Sequence, residues 1–238
     1  MKCSIVVPCY NEEKNLPLIV SRFSEVVKRP DVELILVNNG STDDSEQVLD
    51  SLAKKHQFLR VVTVHKNQGY GYGVLSGLRE SKAEYLAWTH ADMQTDPGDV
   101  ITALNLLESS ENPDQNFIKG LRKNRPWWDT FFTLGMSLFE SFYLNTFLWD
   151  INAQPNVFSR SFFESWSNPP HDFSLDLYVL YQARIQNLNI RRFAVVFPPR
   201  IHGSSSWNTG ITSRLKFIKR TILFSLKLKS ELKPYRNE

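Results

Sequence analysis

The stretch Tyr85-Leu86-Ala87-Trp88-Thr89-His90-Ala91-Asp92-Met93-Gln94-Thr95-Asp96-Pro97 decides how this chain is read. Its first four residues are apolar and predict a short buried strand. The run then breaks into an imidazole, a carboxylate and an amide oxygen at positions 90, 92 and 94. Alternate residues of an extended segment project to one side, so these side chains are expected to converge just beyond the strand's carboxyl end. Open α/β sheets bind their ligands at that edge.

The flanking sequence repeats this alternation. Ser4–Val7 is a short apolar run, hence a buried strand, and Leu16–Lys28 carries apolar residues at 16, 19, 20, 23, 26 and 27, a helical period. Glu33–Val37 is a second strand that ends in the turn signal Asn38-Asn39-Gly40-Ser41. Ser41–Asp44 precedes Val48, Leu49 and Leu52 and reads as a capped helix. Leu59–Val64 is a third strand, Tyr70–Glu80 a helix and Tyr85–Trp88 a fourth strand. The expected class is α/β: a mostly parallel, twisted, doubly wound sheet with helices on both faces. Right-handed crossovers gather Pro8–Glu12, Asn38–Asp43, Asn67–Gly73 and His90–Asp96 on one edge.

The carboxyl-terminal half is less regular. Residues 111–126 read as a polar connection holding Gly120, Arg122 and Arg125. Trp127–Trp149 has 14 apolar residues out of 23, long enough for a bilayer, but Asp129, Glu140 and Asn145 count against a span. As a helix, this segment lines up Thr130, Thr133, Ser137, Ser141 and Asn145 as one polar stripe. That suits a helix lying in an interface of lipid or protein, or one buried in the domain. A helix at Ser174–Gln186 and a strand at Phe193–Phe197 follow.

The length of 238 residues and 42% hydrophobic content suit one globular domain with an appended segment. The net charge of +3 is uneven: residues 211–238 carry eight Lys/Arg against two Glu, and 211–230 contain no acid. Lys and Arg interleaved with Leu, Ile and Phe there predict a basic amphipathic helix for a membrane surface. No nucleic-acid-binding motif accompanies it. Cys3 and Cys9 share one predicted strand about 20 Å apart, beyond disulfide reach. Two unpaired thiols fit a reducing compartment, and Pro8 cuts short any signal-peptide core. A cytoplasmic-side, peripherally membrane-associated protein is expected.

Four motifs stand in order: Val6-Val7-Pro8-Cys9-Tyr10-Asn11-Glu12, Val37-Asn38-Asn39-Gly40-Ser41-Thr42-Asp43, Asn67-Gln68-Gly69 and His90-Ala91-Asp92-Met93-Gln94. Together they resemble the family 2 glycosyltransferases of GT-A fold. The narrower resemblance is to the branch that includes dolichyl- and polyprenyl-phosphate sugar synthases. It implies a GT-A domain over 1–210, with a nucleotide-sugar-binding half at 1–110, an acceptor half at 111–210, and a basic tail at 211–238.

The resemblance also assigns residues. Pro8 and Tyr10 supply an apolar wall and a stacking ring for the base, and Glu12 an acceptor for ribose or base. Ser41, Asn67 and Gly69 complete the nucleotide-sugar site. Asn39 stands where relatives carry an Asp that reads a base imino N–H; its amide oxygen still accepts, without the charge. Of the family's Asp-x-Asp motif with its following Gln, Asp92 and Gln94 stand and His90 replaces the first Asp. Asp92 is the expected direct ligand of Mg²⁺ or Mn²⁺, and His90 either coordinates, which would favour Mn²⁺, or contacts the donor directly. Arg122, Arg125 and Gln154 are expected at an anionic acceptor. Asp176 aligns with an acidic residue that is read in many relatives as catalytic base or acceptor-site group. Arg200 opens Arg200-Ile201-His202-Gly203-Ser204-Ser205-Ser206, like a loop that closes on the pyrophosphate.

The implied reaction is an inverting, metal-dependent transfer from a nucleoside-diphosphate sugar to a polyprenyl phosphate at the membrane surface. Two rivals stand: transfer to a glycan or small-molecule hydroxyl, and a non-catalytic nucleotide-sugar-binding relative. A dinucleotide oxidoreductase does not fit, because the glycines of Asn67–Gly73 lack the fingerprint spacing. Sugar, base, acceptor and oligomeric state stay open.

Overall fold

The computed structural model describes residues 1–123, 127–198, 200 and 211–232. The amino-terminal half alternates as its sequence pattern dictates: β1 (Cys3–Cys9), α1 (Leu16–Val26), β2 (Val32–Asn39), α2 (Ser45–Lys55), β3 (Leu59–Val64), α3 (Tyr70–Glu80), β4 (Tyr85–Trp88) and α4 (Pro97–Glu108). There follow β5 (Asn116–Lys123), α5 (Trp127–Tyr143), β6 (Asn156–Ser159), α6 (Arg160–Glu164), α7 (Leu175–Ile185), β7 (Asn189–Val196) and α8 (Ile211–Leu232).

The seven strands form one sheet in the order β3-β2-β1-β4-β6-β5-β7. β1 to β4 run parallel, β6 is antiparallel to both of its neighbours, and β7 is parallel to β5. The pleat divides the core. Val6, Ile35, Val37, Leu86 and Trp88 face α3 and α7, while Ile5, Val7, Leu34 and Leu36 face α1, α2 and α4. Helices thus cover both faces of a mostly parallel sheet. Cys3 and Cys9 are buried and unpaired in β1.

Four elements, α4, β5, β6 and the short α6, escape the sequence pattern. The helix α4 was missed although its start carries a signal: Pro97 opens it, and Asp96 Oδ1 accepts from the Gly98 N–H at 2.6 Å. The strand β5 replaces the expected polar connection, because the charge of Lys119 interrupts an otherwise apolar run. With only four residues, β6 is too short to show a period.

The Trp127–Trp149 reading is corrected in its length. The helix ends at Tyr143, and Asn145 (φ 51°) lies in the turn beyond it, so Asn145 leaves the polar stripe. The helix turns inward at the middle of the stripe, whereas Thr130 at its start is exposed. Ser137 and Glu140 are buried, and Glu140 Oε2 accepts from the Ser225 hydroxyl of α8 at 2.6 Å. The outward side is therefore apolar, with Phe131, Leu138 and Phe142 exposed. Among the described residues, no helix is long and apolar enough to cross a membrane.

Candidate active site

Parallel pairing brings the ends of β1, β2 and β4 to one edge, and the loops that leave them interlock. The Asn11 N–H donates to Ser41 Oγ at 3.1 Å, and Asn11 Oδ1 accepts from the Thr42 N–H at 2.8 Å. The Glu12 N–H donates to Ser45 Oγ at 3.0 Å. Gly40 has φ +71°, and a Cβ there would run into the backbone of Lys66 and Asn67. Glycine is what lets the Asn67 loop lie against the Asn39 turn. Asn67 Oδ1 in turn accepts from the Gly69 N–H at 2.8 Å.

Asn39 is 3% exposed. Its Nδ2 donates to the Gly69 carbonyl at 3.0 Å, which fixes the orientation of the amide. Oδ1 is then left buried without a hydrogen-bond partner among the described residues. A buried acceptor held in this way suits the reading of an N–H from a ligand. The Asn39 side chain and Pro8 both lie against Gly73, and Tyr10, 46% exposed, follows β1 in the loop on the same edge.

The expected convergence of His90, Asp92 and Gln94 by strand alternation is corrected. The strand ends at Trp88, and Met93 turns the chain with φ 58°. The local cause is an Asx turn, in which Asp92 Oδ1 accepts from the Gln94 N–H at 3.1 Å. Asp92, 5% exposed, places Oδ2 2.7 Å from Arg200 Nη2. Gln94 Oε1 accepts from Arg200 Nε at 3.1 Å, and Gln94 Nε2 donates to the Pro198 carbonyl at 3.0 Å. Glu12 faces the same cluster: burial raises its carboxyl and Asp92 adds to this, while Asn15 and Arg200 oppose it. No three His, Cys, Asp or Glu side chains among the described residues form a metal cage. One carboxylate that already attracts a cation, with an acid beside it, still fits Mg²⁺ or Mn²⁺ completed by substrate phosphates.

The His90 ring lies 5.5 Å from Tyr70, which stacks on Phe173 at 4.9 Å. The Tyr70 hydroxyl accepts from Trp88 Nε1 at 3.1 Å and from Gln154 Nε2 at 3.4 Å. Gln154 Nε2 also donates to Asp176 Oδ1 at 2.9 Å. Asp176 stands in the first turn of α7, buried; burial raises its carboxyl, against Lys119, His90 and the Gln154 hydrogen bond. Tyr70, Phe173, Lys119 and Asn156 join this cluster and were missed. The chemical signal was present only in the tyrosine that follows the glycine-rich turn.

Arg122 lies at the end of β5 with its side chain 9% exposed. Its backbone N–H and Nε donate to Asp150 at 2.9 Å each, and Nη2 bonds the same carboxylate. Burial would raise the Asp150 carboxyl, but the Arg122 charge and hydrogen bonds outweigh it and hold it low. Arg122 is thus committed to the turn that leads into Gln154. Arg125 and residues 201–206 lie outside the described residues.

The profile described as Glycosyl transferase family 2 matches residues 4–166. The undecaprenyl-phosphate 4-deoxy-4-formamido-L-arabinose transferase of Yersinia enterocolitica is 29% identical over 110 residues, covering 45% of this chain and 34% of that one. The transferase of the same name from Pseudomonas fluorescens is 34% identical over 101 residues, covering 41% and 29%. The chain thus spans about a third of the length of the curated relatives it matches. Among solved structures, glucosyl-3-phosphoglycerate synthase from Mycobacterium tuberculosis, in complex with Mn²⁺, UDP and glucosyl-3-phosphoglycerate, superposes with TM-score 0.71 at 18% identity. It covers 94% of this chain and 78% of that one. A mannosyltransferase from Pyrobaculum calidifontis, in complex with GDP-Man and Mn²⁺, gives TM-score 0.65 at 18% identity, covering 85% and 58%. These likenesses give the fold as GT-A. With the profile covering more than half of its length, the chain belongs to the family 2 glycosyltransferases.

Proposed function

We propose that this glycosyltransferase moves a sugar, with inversion, from a nucleoside diphosphate to a polyprenyl phosphate at a membrane surface, using a divalent cation. The observation that carries the donor side is Asp92, buried at the end of β4 with a guanidinium against it. Undecaprenyl phosphate in the names of its relatives supports the acceptor class.

In this reading Pro8 and Tyr10 wall the base, and Asn39 Oδ1 accepts an imino N–H from it. Glu12, Ser41, Asn67 and Gly69 line the rest of the nucleotide site. Asp92, with Gln94 beside it, would hold Mg²⁺ or Mn²⁺, with His90 as a further candidate ligand, and the ion would supply positive charge to the departing diphosphate. Arg200 adds a second positive group beside it. An acceptor phosphate oxygen bonds to the anomeric carbon as the bond to the diphosphate breaks on the opposite face. That phosphate is already ionised near neutral pH, so no strong base is required. Gln154 and Asp176 shape the acceptor side, and Arg125 stays the candidate for the acceptor phosphate. Arg122 contributes by fixing the Asp150–Gln154 turn. For a hydroxyl acceptor, Asp176 would be the general base, a second reading favoured by its raised, buried carboxyl.

Membrane contact is assigned to the outer side of α5 and to α8. Phe142 is 90% exposed, with Phe131, Leu138 and Phe147 also open, and Leu223 and Leu226 are exposed on the basic α8. Anionic lipid matches both features.

The test is thermal stabilisation by UDP, GDP, CDP and dTDP, each with and without Mn²⁺, followed by transfer to undecaprenyl phosphate. A nucleotide at about 100 times its dissociation constant should add roughly 2.7 kcal/mol, and Asp92→Ala should abolish the metal-dependent part. No stabilisation by any nucleotide would sink the reading. Stabilisation without transfer would leave a nucleotide-sugar-binding relative, and transfer only to hydroxyl acceptors would favour the second reading.

A further inference from the structure

Lys119 is one of the largest fully buried side chains in the protein, and no role assigned above uses it. It sits in mid β5, in register with Asn156 on β6. A buried ammonium is costly unless hydrogen-bonded and balanced by charge. Its Nζ donates to the Ala153 carbonyl at 2.7 Å and to Asn156 Oδ1 at 2.6 Å.

Because an ammonium only donates, Asn156 must offer it oxygen, and its Nδ2 points onward. That Nδ2 donates to Gln154 Oε1 at 2.8 Å and lies 3.4 Å from Asp176 Oδ1. With its oxygen occupied, Gln154 turns Nε2 to Asp176 Oδ1 at 2.9 Å. Two amides are therefore aligned head to tail, from a donor-only group at one end to a carboxylate at the other. Such rows polarise one another in a low-dielectric interior. All four residues are buried.

We propose that Lys119 is a positioning residue for the acceptor step: through Asn156 and Gln154 it aims an ordered row of N–H donors at Asp176 and holds that carboxylate in place. This rests on the reading of Gln154 and Asp176 as acceptor-side groups. Burial works against the charged pair and pulls Lys119 down to about 7, while Asp176 and Asp150 support its charge and Arg192 and Arg122 oppose it. Asp176 faces Lys119, His90 and Arg122, and Tyr70 packs beside it.

The direct test needs no substrate: the titration of Asp176 followed by carboxyl ¹³C NMR, with Asp176→Asn assigning the signal. Lys119→Met removes the charge; Asn156→Leu keeps it and cuts the row. Both should move the Asp176 midpoint up, by about one pH unit or more. An unmoved midpoint in either folded variant overturns the proposal, and movement in Lys119→Met alone reduces Lys119 to a through-space charge. If Lys119→Met does not fold, Asn156→Leu decides. With undecaprenyl phosphate as acceptor probe, both variants should lose about 100-fold in kcat at unchanged donor KM. Unimpaired transfer by Asp176→Asn would remove the acceptor-side reading and leave the NMR result standing.

Discussion

Arg200 Nη2 lies 2.7 Å from Asp92 Oδ2, so a guanidinium stands on the carboxylate assigned to the cation. Arg200 Nε also holds Gln94 Oε1, at 3.1 Å. The same positive group thus engages two of the three candidate metal ligands, and a metal ion must compete with it. Arg200→Ala should tighten Mn²⁺ binding about fivefold in the absence of nucleotide, the equivalent of ~1 kcal/mol for a partly exposed pair. Electron paramagnetic resonance of unbound Mn²⁺ measures this directly. Equal or weaker binding in the variant would show that the guanidinium does not compete.

Asn39 carries a second prediction, because its Nδ2 is spent on the Gly69 carbonyl. Restoring the family's acid as Asn39→Asp would turn a carboxylate oxygen against that carbonyl. The substitution should cost about 1–3 kcal/mol of stability, as expected for a buried group that loses its partner. Asn39→Ala should instead weaken nucleotide binding. Chemical denaturation and nucleotide titration separate the two effects, and an Asn39→Asp protein as stable as the parent would refute the first.

Glu140 predicts a pH dependence. Burial pushes its carboxyl from the ordinary 4.5 up to about 7, against the Ser225 hydrogen bond. The folded protein then holds a proton that the unfolded chain has released, so stability falls as pH rises from about 4.5 through 7. Glu140→Gln should flatten that fall and gain up to about 3 kcal/mol at pH 8. Thermal unfolding across pH 4 to 8 is the measurement. A slope identical in the two proteins would remove Glu140 as its source.

The outer side of α5 gives the last prediction. Leu138→Glu and Phe142→Glu alter exposed positions, so they should leave the melting temperature within the range of ordinary surface changes. They should also release the protein from anionic vesicles in a sedimentation assay. Undiminished vesicle binding would move the lipid contact elsewhere.

Much of the amino-terminal half was legible because its signals are local. The apolar runs at Ser4–Val7 and Glu33–Val37 can only be buried strands in a wound sheet, and the loops that follow them carry the polar groups. The same periodicity placed the start of α5 but not its end, since a positive φ at Asn145 leaves no mark in the apolar pattern.

By itself, then, the sequence determined the α/β alternation, the edge on which the loops meet, and the residue types gathered there. Tertiary structure alone decided who faces whom. Arg200, more than a hundred residues from Asp92, reaches it only because β7 returns beside β5. Lys119 breaks an apolar run and reads as loop, yet pairing with Asn156 across β6 buries it and turns it toward Asp176. Long-range pairing sets such contacts, and hydrophobic period carries no information about them. The inward turn of α5 at Ser137 and Glu140 follows the same rule, because a serine of α8 waits opposite Glu140.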